Sequence, residues 1–234
     1  MEYLTDSNFE IAIYEKHTPI NSYNPVVCDN NITMFTVCSS LDGVDIYTQK
    51  LSEKNIYLYE LRTFLDSISL IEKNSDKEFL LEIPLSISTI FNGLFLKYIS
   101  NKVTAKVNLK RITLSVIHNF KSKSEKHDVL SQLNIFKKLG YSTMIVSQKH
   151  YLDYDYFIGD SDWAKVDLSY CNLESKEHFI KLFISILGAD KVIFDGINNQ
   201  NDKQIVFSCS GKYLQGKGIS KTQKALISGE FTIR

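Results

Sequence analysis

The chain has 234 residues, 27 basic and 27 acidic side chains, and a formal net charge of zero at pH 7. That length is one large domain or two small ones, enough to bury a core without disulfides or metal. Balanced charge gives no electrostatic case for nucleic acid or an anionic membrane, and no apolar run reaches transmembrane length.

The elements alternate along the chain. "FEIAIYEKHTP" (9–19) and "ITMFTVCSS" (32–40) read as strands. Residues 52–73 read as a helix, with Ile56, Tyr59, Leu61 and Leu65 near helical spacing. "FLLEIPLS" (79–86) reads as a strand ended near Pro84, which lacks a donor. Residues 87–101 read as a helix weakened by Gly93. "RITLSVI" (111–117) is a β-branched strand. Residues 124–140 are the clearest helix: Val129, Leu133 and Phe136 line one face, Lys137 and Lys138 fill the last turn, and Gly140 can close it.

"STMIVSQ" (142–148) is a strand, and a loop of residues 149–162 leads to the strand "WAKVDLS" (163–169), with Asp162 capping its start. Residues 175–188 read as a helix with Ser175 as N-cap and Gly188 as stop. "KVIFDGI" (191–197) is a strand, "KYLQGKGIS" (212–220) a short strand or turn, and residues 221–228 a short helix. Seven or eight strand–helix units point to an α/β fold, a single-domain (β/α)8-type barrel over residues 1–234. The competitor is a doubly wound open sheet, but its GxGxxG turn is absent. Completeness of the ring around residues 199–220 is left open.

The four cysteines, Cys28, Cys38, Cys171 and Cys209, form no CxxC pair. The N-terminus shows no signal-peptide pattern, so we expect a cytoplasmic protein with free thiols. The five histidines form no HxxxH or HExxH pattern, and no GxSxG elbow or P-loop is present.

Lys165 and Asp167 are two apart on a strand and share one face. Asp195 lies late in its own strand. In barrels of this type, active sites sit at the C-terminal strand ends. Two readings stand side by side: a site, or a structural ion pair closing the barrel mouth. The loop "KHYLDYDYFIGDSD" interleaves Asp153, Asp155, Asp160 and Asp162 with Tyr151, Tyr154, Tyr156 and Phe157. The Gly at the sixth position and the Glu at the twelfth that a calcium loop needs do not fall in place. The segment is either a solvated loop packing its aromatics over the mouth or a protein-binding patch, since aromatics are enriched at interface hot spots.

Five pieces, in order, resemble the EAL domain of cyclic di-GMP phosphodiesterases. "FEIAIYEKHTPI" is similar to the opening pattern FxxxYQPI and "LNIFKKLGYSTMIV" to LRxLGxxLAIDD. "AKVDLS" resembles IKIDxS, "KVIFDGINNQNDKQ" resembles VIAEGVExxEQ, and "YLQGKGIS" resembles QGYxF. The resemblance implies a barrel whose catalytic floor holds Mg²⁺ or Mn²⁺ on oxygen and amide ligands.

This chain departs from that pattern. The signature Glu falls on Phe35, the strand-end Asn on Pro84, the next Glu on Ser115, and the aspartate pair on Val146 and Ser147. The phosphate-facing Arg falls near Ser39. Lys165, Asp167, Asp195, Gln215 and Gly216 survive, with Asp195 standing where the family has Glu. The resemblance therefore implies a degenerate, non-enzymatic EAL-like regulator with no cofactor and no metal. Lys165 and Asp167 are expected to persist as a mutually neutralising pair. Similar standalone degenerate EAL proteins bind the FlhD subunit of the flagellar master transcription activator and lower motility, which makes a protein the expected partner. The runner-up is a cyclic di-GMP receptor using Lys165, Asp167, Asp195 and Gln215. A residual phosphodiesterase is the third reading.

Overall fold

The computed structural model describes residues 19–102, 107–118, 123–147 and 161–221. Along them run β1 (Ile20–Cys28), β2 (Asn31–Leu41), β3 (Val44–Asp45), α1 (Glu53–Lys73), β4 (Leu80–Leu85), α2 (Ile87–Ile90), α3 (Gly93–Lys102) and β5 (Ile112–His118). They are followed by α4 (Lys123–Lys138), β6 (Ser142–Ser147), β7 (Trp163–Asp167), α5 (Leu173–Leu187), β8 (Val192–Asp195), α6 (Gln200–Ser208) and β9 (Tyr213–Gln215).

The strands lie in the order β1-β9-β8-β7-β6-β5-β4-β2, and a further β1–β2 pairing closes the ring. The result is a closed eight-stranded barrel with helices outside. β1 is antiparallel to both its neighbours, while β2 and β4 through β9 are parallel. β3 extends β2 as a short hairpin. Closure removes the sheet edge.

The antiparallel start has a local cause. Cys28 pairs with Asn31, leaving a two-residue loop, and Asp29 and Asn30 both have positive φ (49° and 63°). That is the backbone of a tight hairpin whose twist matches the strands, and short Asx side chains tolerate it. The first strand of the ring is thus 20–28. The expected strand at 9–19 lies outside the described residues except for Pro19, as does the expected helix at 221–228 except for Lys221.

Four expectations need correction. β4 does not stop at Pro84, because Pro84 and Leu85 still pair with Ser115 and Val116. The helix expected over 87–101 is two helices, broken at Phe91 and Asn92. Asn92 Oδ1 accepts from the backbone of Leu94 and Phe95, which restarts the chain as α3. The N-cap of α5 is Asn172, whose side chain accepts from Ser175 N, so Ser175 sits inside the helix. Asp162, expected to cap the start of β7, instead accepts from Thr143 N on β6 at 2.9 Å and pairs with Lys137 on α4 at 3.1 Å.

Side-chain alternation divides the barrel. One set of strand residues faces the helices and builds the main core with Leu61, Leu133 and Phe183. Phe95 touches Phe64 (centroids 5.7 Å) and Phe136 (6.4 Å), both edge to face. The other set fills the interior: Val26, Met34, Met144 and Ile193, with Leu80, Val146, Trp163 and Tyr213. Phe95 is fully buried at the centre of the aromatic row. Phe95→Ala should therefore cost about 3–5 kcal/mol, measured as the shift of the urea unfolding midpoint at unchanged slope.

Candidate functional site

Above the apolar interior layer sits a buried polar quartet. Thr36 on β2, Glu82 on β4, Lys165 on β7 and Gln215 on β9 all turn inward, and all four are buried. Lys165 Nζ forms an ion pair with Glu82 Oε2 and donates to Thr36 Oγ1 at 2.8 Å. Thr36 Oγ1 donates to Glu82 Oε2 at 2.6 Å and accepts from Gln215 Nε2 at 2.8 Å. The hydroxyl thus uses its one proton and both lone pairs. Gln215 also donates to the carbonyl of Asn24, which ties the quartet to β1.

Glu82 was not singled out in the sequence. Its signal was present: a charged residue in the middle of "LLEIPL", on the face shared by Leu80 and Pro84. The partner expected for Lys165 was Asp167, and the structure replaces it with Glu82. Asp167 lies one step higher, at the strand end, where its Oδ1 accepts from Ser169 N at 2.8 Å.

Phe35 also needs correcting, by one residue. Met34 belongs to the interior cluster, so Thr36 faces inward and Phe35 faces the helices, edge to face with Phe79 at 5.7 Å. Thr36, not Phe35, is the β2 residue that reaches the barrel axis. The described β1 reads Tyr23-Asn24-Pro25-Val26. That segment, rather than residues 9–20, carries the Tyr-x-Pro-apolar end of the opening pattern.

Gln215 connects the quartet to a cleft of about 510 Å³ at the C-terminal ends of β7, β8 and β9. Asp167, Asp195, Gln215 and Asn24 line it, with exposed Lys217 and Lys221 at the rim. Of the expected ligand-binding residues, Asp167, Asp195 and Gln215 come together there. Lys165 lies beneath and does not line the cleft. Asp167 and Asp195 are direct partners on neighbouring strands. Burial pushes the Asp195 carboxyl up from its ordinary range, opposed by Lys165 and by the Gly196 N–H. Cys38, at the same end of β2, is pushed up to about 12, mainly by burial, so it is no thiolate nucleophile at neutral pH.

Two glycines shape the mouth. Gly196 has φ +76°, and a Cβ there would lie 2.5 Å from Asp167 Oδ1. Gly216 has φ +143°, and its Cβ would lie 2.3 Å from the Ile197 carbonyl oxygen. Only glycine permits these backbones to pack so closely.

The remaining strand ends offer little to a divalent metal. Pro84 has no donor atom on its ring and Val146 is aliphatic. Ser115 Oγ is buried without a hydrogen-bond partner. Among the described residues, no group of three or more His, Cys, Asp or Glu could hold a metal ion. The donor set does not fit Mg²⁺ or Mn²⁺. The expected protein-binding aromatics, Tyr151, Tyr154, Tyr156 and Phe157, lie outside the described residues.

A second buried acid supports the mouth from outside the ring. Glu60 on α1 accepts from Ser86 N at 2.7 Å and Ser86 Oγ at 2.9 Å. Burial pushes its carboxyl up to about 7, against hydrogen bonds from Thr89, Tyr47 and Ser86. It thereby fixes the turn that follows β4.

No family model matches the chain, and no curated protein matches it. Solved structures do. The EAL domain protein from Listeria monocytogenes is 16% identical, with a TM-score of 0.70 over 96% of each chain. The FimX EAL domain from Pseudomonas aeruginosa, bound to cyclic di-GMP, is 14% identical, with a TM-score of 0.71 over 94% of this chain and 98% of that one. The Klebsiella pneumoniae BlrP1 manganese and cyclic di-GMP complex is 13% identical, with a TM-score of 0.73 over 89% of this chain and 57% of that one. At such identities the likeness establishes the fold: the barrel is that of EAL domains.

Two predictions follow from this geometry. Lys165→Met leaves the Glu82 carboxylate buried without its cation and should cost about 3–5 kcal/mol, whereas Lys165→Met with Glu82→Leu should recover most of that loss. A double-mutant cycle in urea reads the difference. For Glu60, the folded value near 7 exceeds the ordinary 4.5, so the folded protein holds the proton more tightly. Its contribution is full below pH 4.5 and is lost as pH rises through 7, by about 3 kcal/mol at most. Wild-type stability should fall over that window relative to Glu60→Gln, as measured by urea unfolding at several pH values.

Proposed function

We propose that this chain is a degenerate EAL domain that performs no hydrolysis and works as a regulator by binding another protein. The observation that carries the reading is the donor set at the strand ends. Thr36, Pro84, Ser115 and Val146 stand where the resemblance puts the metal ligands of a phosphodiesterase of this fold, and the buried acid Glu82 is committed to Lys165. A metal that neutralises the scissile phosphate and activates water is a physical requirement of that chemistry.

What remains of the fold is a closed barrel with helices outside, whose outer surface is available for recognition. The expected partner is the FlhD subunit of the flagellar master transcription activator, as the resemblance to degenerate standalone EAL regulators suggests. Binding it would lower flagellar gene expression and motility from the cytoplasm, with no direct nucleic-acid contact and no cofactor. Among the described residues, no helix is long and apolar enough to cross a membrane.

A second reading has one observation in its favour. A cleft of about 510 Å³ persists at the mouth, and FimX carries cyclic di-GMP on a barrel of this fold. Against it stand the buried Lys165 and the adjacent pair of aspartates facing an anionic ligand.

The purified protein, incubated with cyclic di-GMP and either Mg²⁺ or Mn²⁺, should release no linear dinucleotide. Mixed with purified FlhD, it should co-elute on gel filtration. Product formation that Lys165→Ala abolishes, or failure to retain FlhD, would contradict the corresponding half of the proposal.

A further inference from the structure

Lys165 is a long cation placed between two sets of carboxylates. Below it is Glu82, in direct contact and 1% exposed. Above it are Asp167 and Asp195 at the cleft, one step further along β7 and β8. Lys165 is near enough to Asp195 to pull its carboxyl down by charge alone. Asp167 and Asp195 are register neighbours, and like charges placed directly opposite repel. Neither makes an ion pair among the described residues. The buried cation that could relieve them is paired with Glu82 and does not line the cleft.

Three contacts hold it down. Glu82 supplies the counter-charge, Thr36 accepts from the ammonium, and Gln215 locks the Thr36 hydroxyl so that its proton goes to Glu82. Among the described residues, an anion entering the cleft therefore meets two carboxylates, and the cations that line it are the exposed Lys217 and Lys221. We propose that Glu82 is a specificity-determining residue: it is a built-in anion that draws the Lys165 ammonium below the floor and so denies the cleft to phosphate-bearing ligands.

The inference rests on the reading of the mouth as a site without metal, because a divalent cation there would itself neutralise the aspartates. Of the three acidic side chains around Lys165, Asp167 and Asp195 line the cleft and Glu82 does not. With its charge removed, the strongest remaining attraction on Lys165 comes from Asp195 and Asp167. The side chain then extends toward the cleft floor, where an ammonium can meet a phosphate oxygen.

The test is calorimetry with inorganic pyrophosphate in the presence of a chelator, which isolates anion recognition from base contacts and metal. Wild-type protein should bind weakly. Glu82→Gln should bind roughly tenfold tighter, and Glu82→Gln with Lys165→Met should return to the wild-type level. Loss of the Glu82 charge lowers the Asp195 carboxyl by itself, so the discriminating readout by carbon-13 NMR is that Lys165→Met should raise the Asp195 titration more in the Glu82→Gln background than in wild type. If Glu82→Gln does not fold, Glu82→Asp, one methylene shorter, should show an intermediate gain.

A folded Glu82→Gln or Glu82→Asp protein with unchanged pyrophosphate binding would overturn the assignment of Glu82, as would a gain that survives Lys165→Met. Tight binding of cyclic di-GMP by the wild-type protein would instead overturn the reading of the cleft itself.

Discussion

The buried ion pair between Lys165 and Glu82 is the constraint around which the rest of the barrel is arranged. Two full charges inside a protein are costly unless each finds a partner and every remaining proton and lone pair is used. Here the counter-charge comes from across the ring, and Thr36 and Gln215 complete the hydrogen bonding. The four residues sit on β2, β4, β7 and β9, so the pair is satisfied only if the ring closes in this register. Closure in turn depends on β1, which bridges β2 and β9 and gives its Asn24 carbonyl to Gln215.

The same arrangement defines what the mouth offers. Beneath the cleft, the Lys165 ammonium and the Glu82 carboxylate satisfy each other. Above them, Asp167, Asp195 and two close-packed glycines keep the shape of a binding cleft. The barrel thus combines a preserved scaffold with an internally neutralised centre.

Much of the fold was legible because periodicity is strong where helices pack on a closed sheet. Val129, Leu133 and Phe136 marked α4, and the β-branched run at 112–117 marked β5. The ring's first strand was missed because the Asp29–Asn30 hairpin was overlooked and the more apolar run before it drew the strand assignment. Helix α6 was missed because it is short and mostly polar, with only Asp202 and Val206 buried.

Less of the site was legible. Lys165 and Asp167 were correctly placed on one face of a strand end, but which carboxylate reaches Lys165 is decided across the ring, by strands 83 residues apart in sequence at that contact. Local spacing could offer only Asp167. The resemblance put the signature Glu on Phe35, and a one-residue slip turns a strand inside out, since periodicity alone does not say which face is the axis.

The most direct test of the account is the affinity of the purified protein for Mn²⁺, followed by electron paramagnetic resonance as metal is added. The account predicts that the signal of free Mn²⁺ grows in proportion to what is added, as it does in buffer. Loss of that signal at stoichiometric metal, reversed by Asp195→Asn, would show a metal centre at the cleft and contradict the view of a floor satisfied from within.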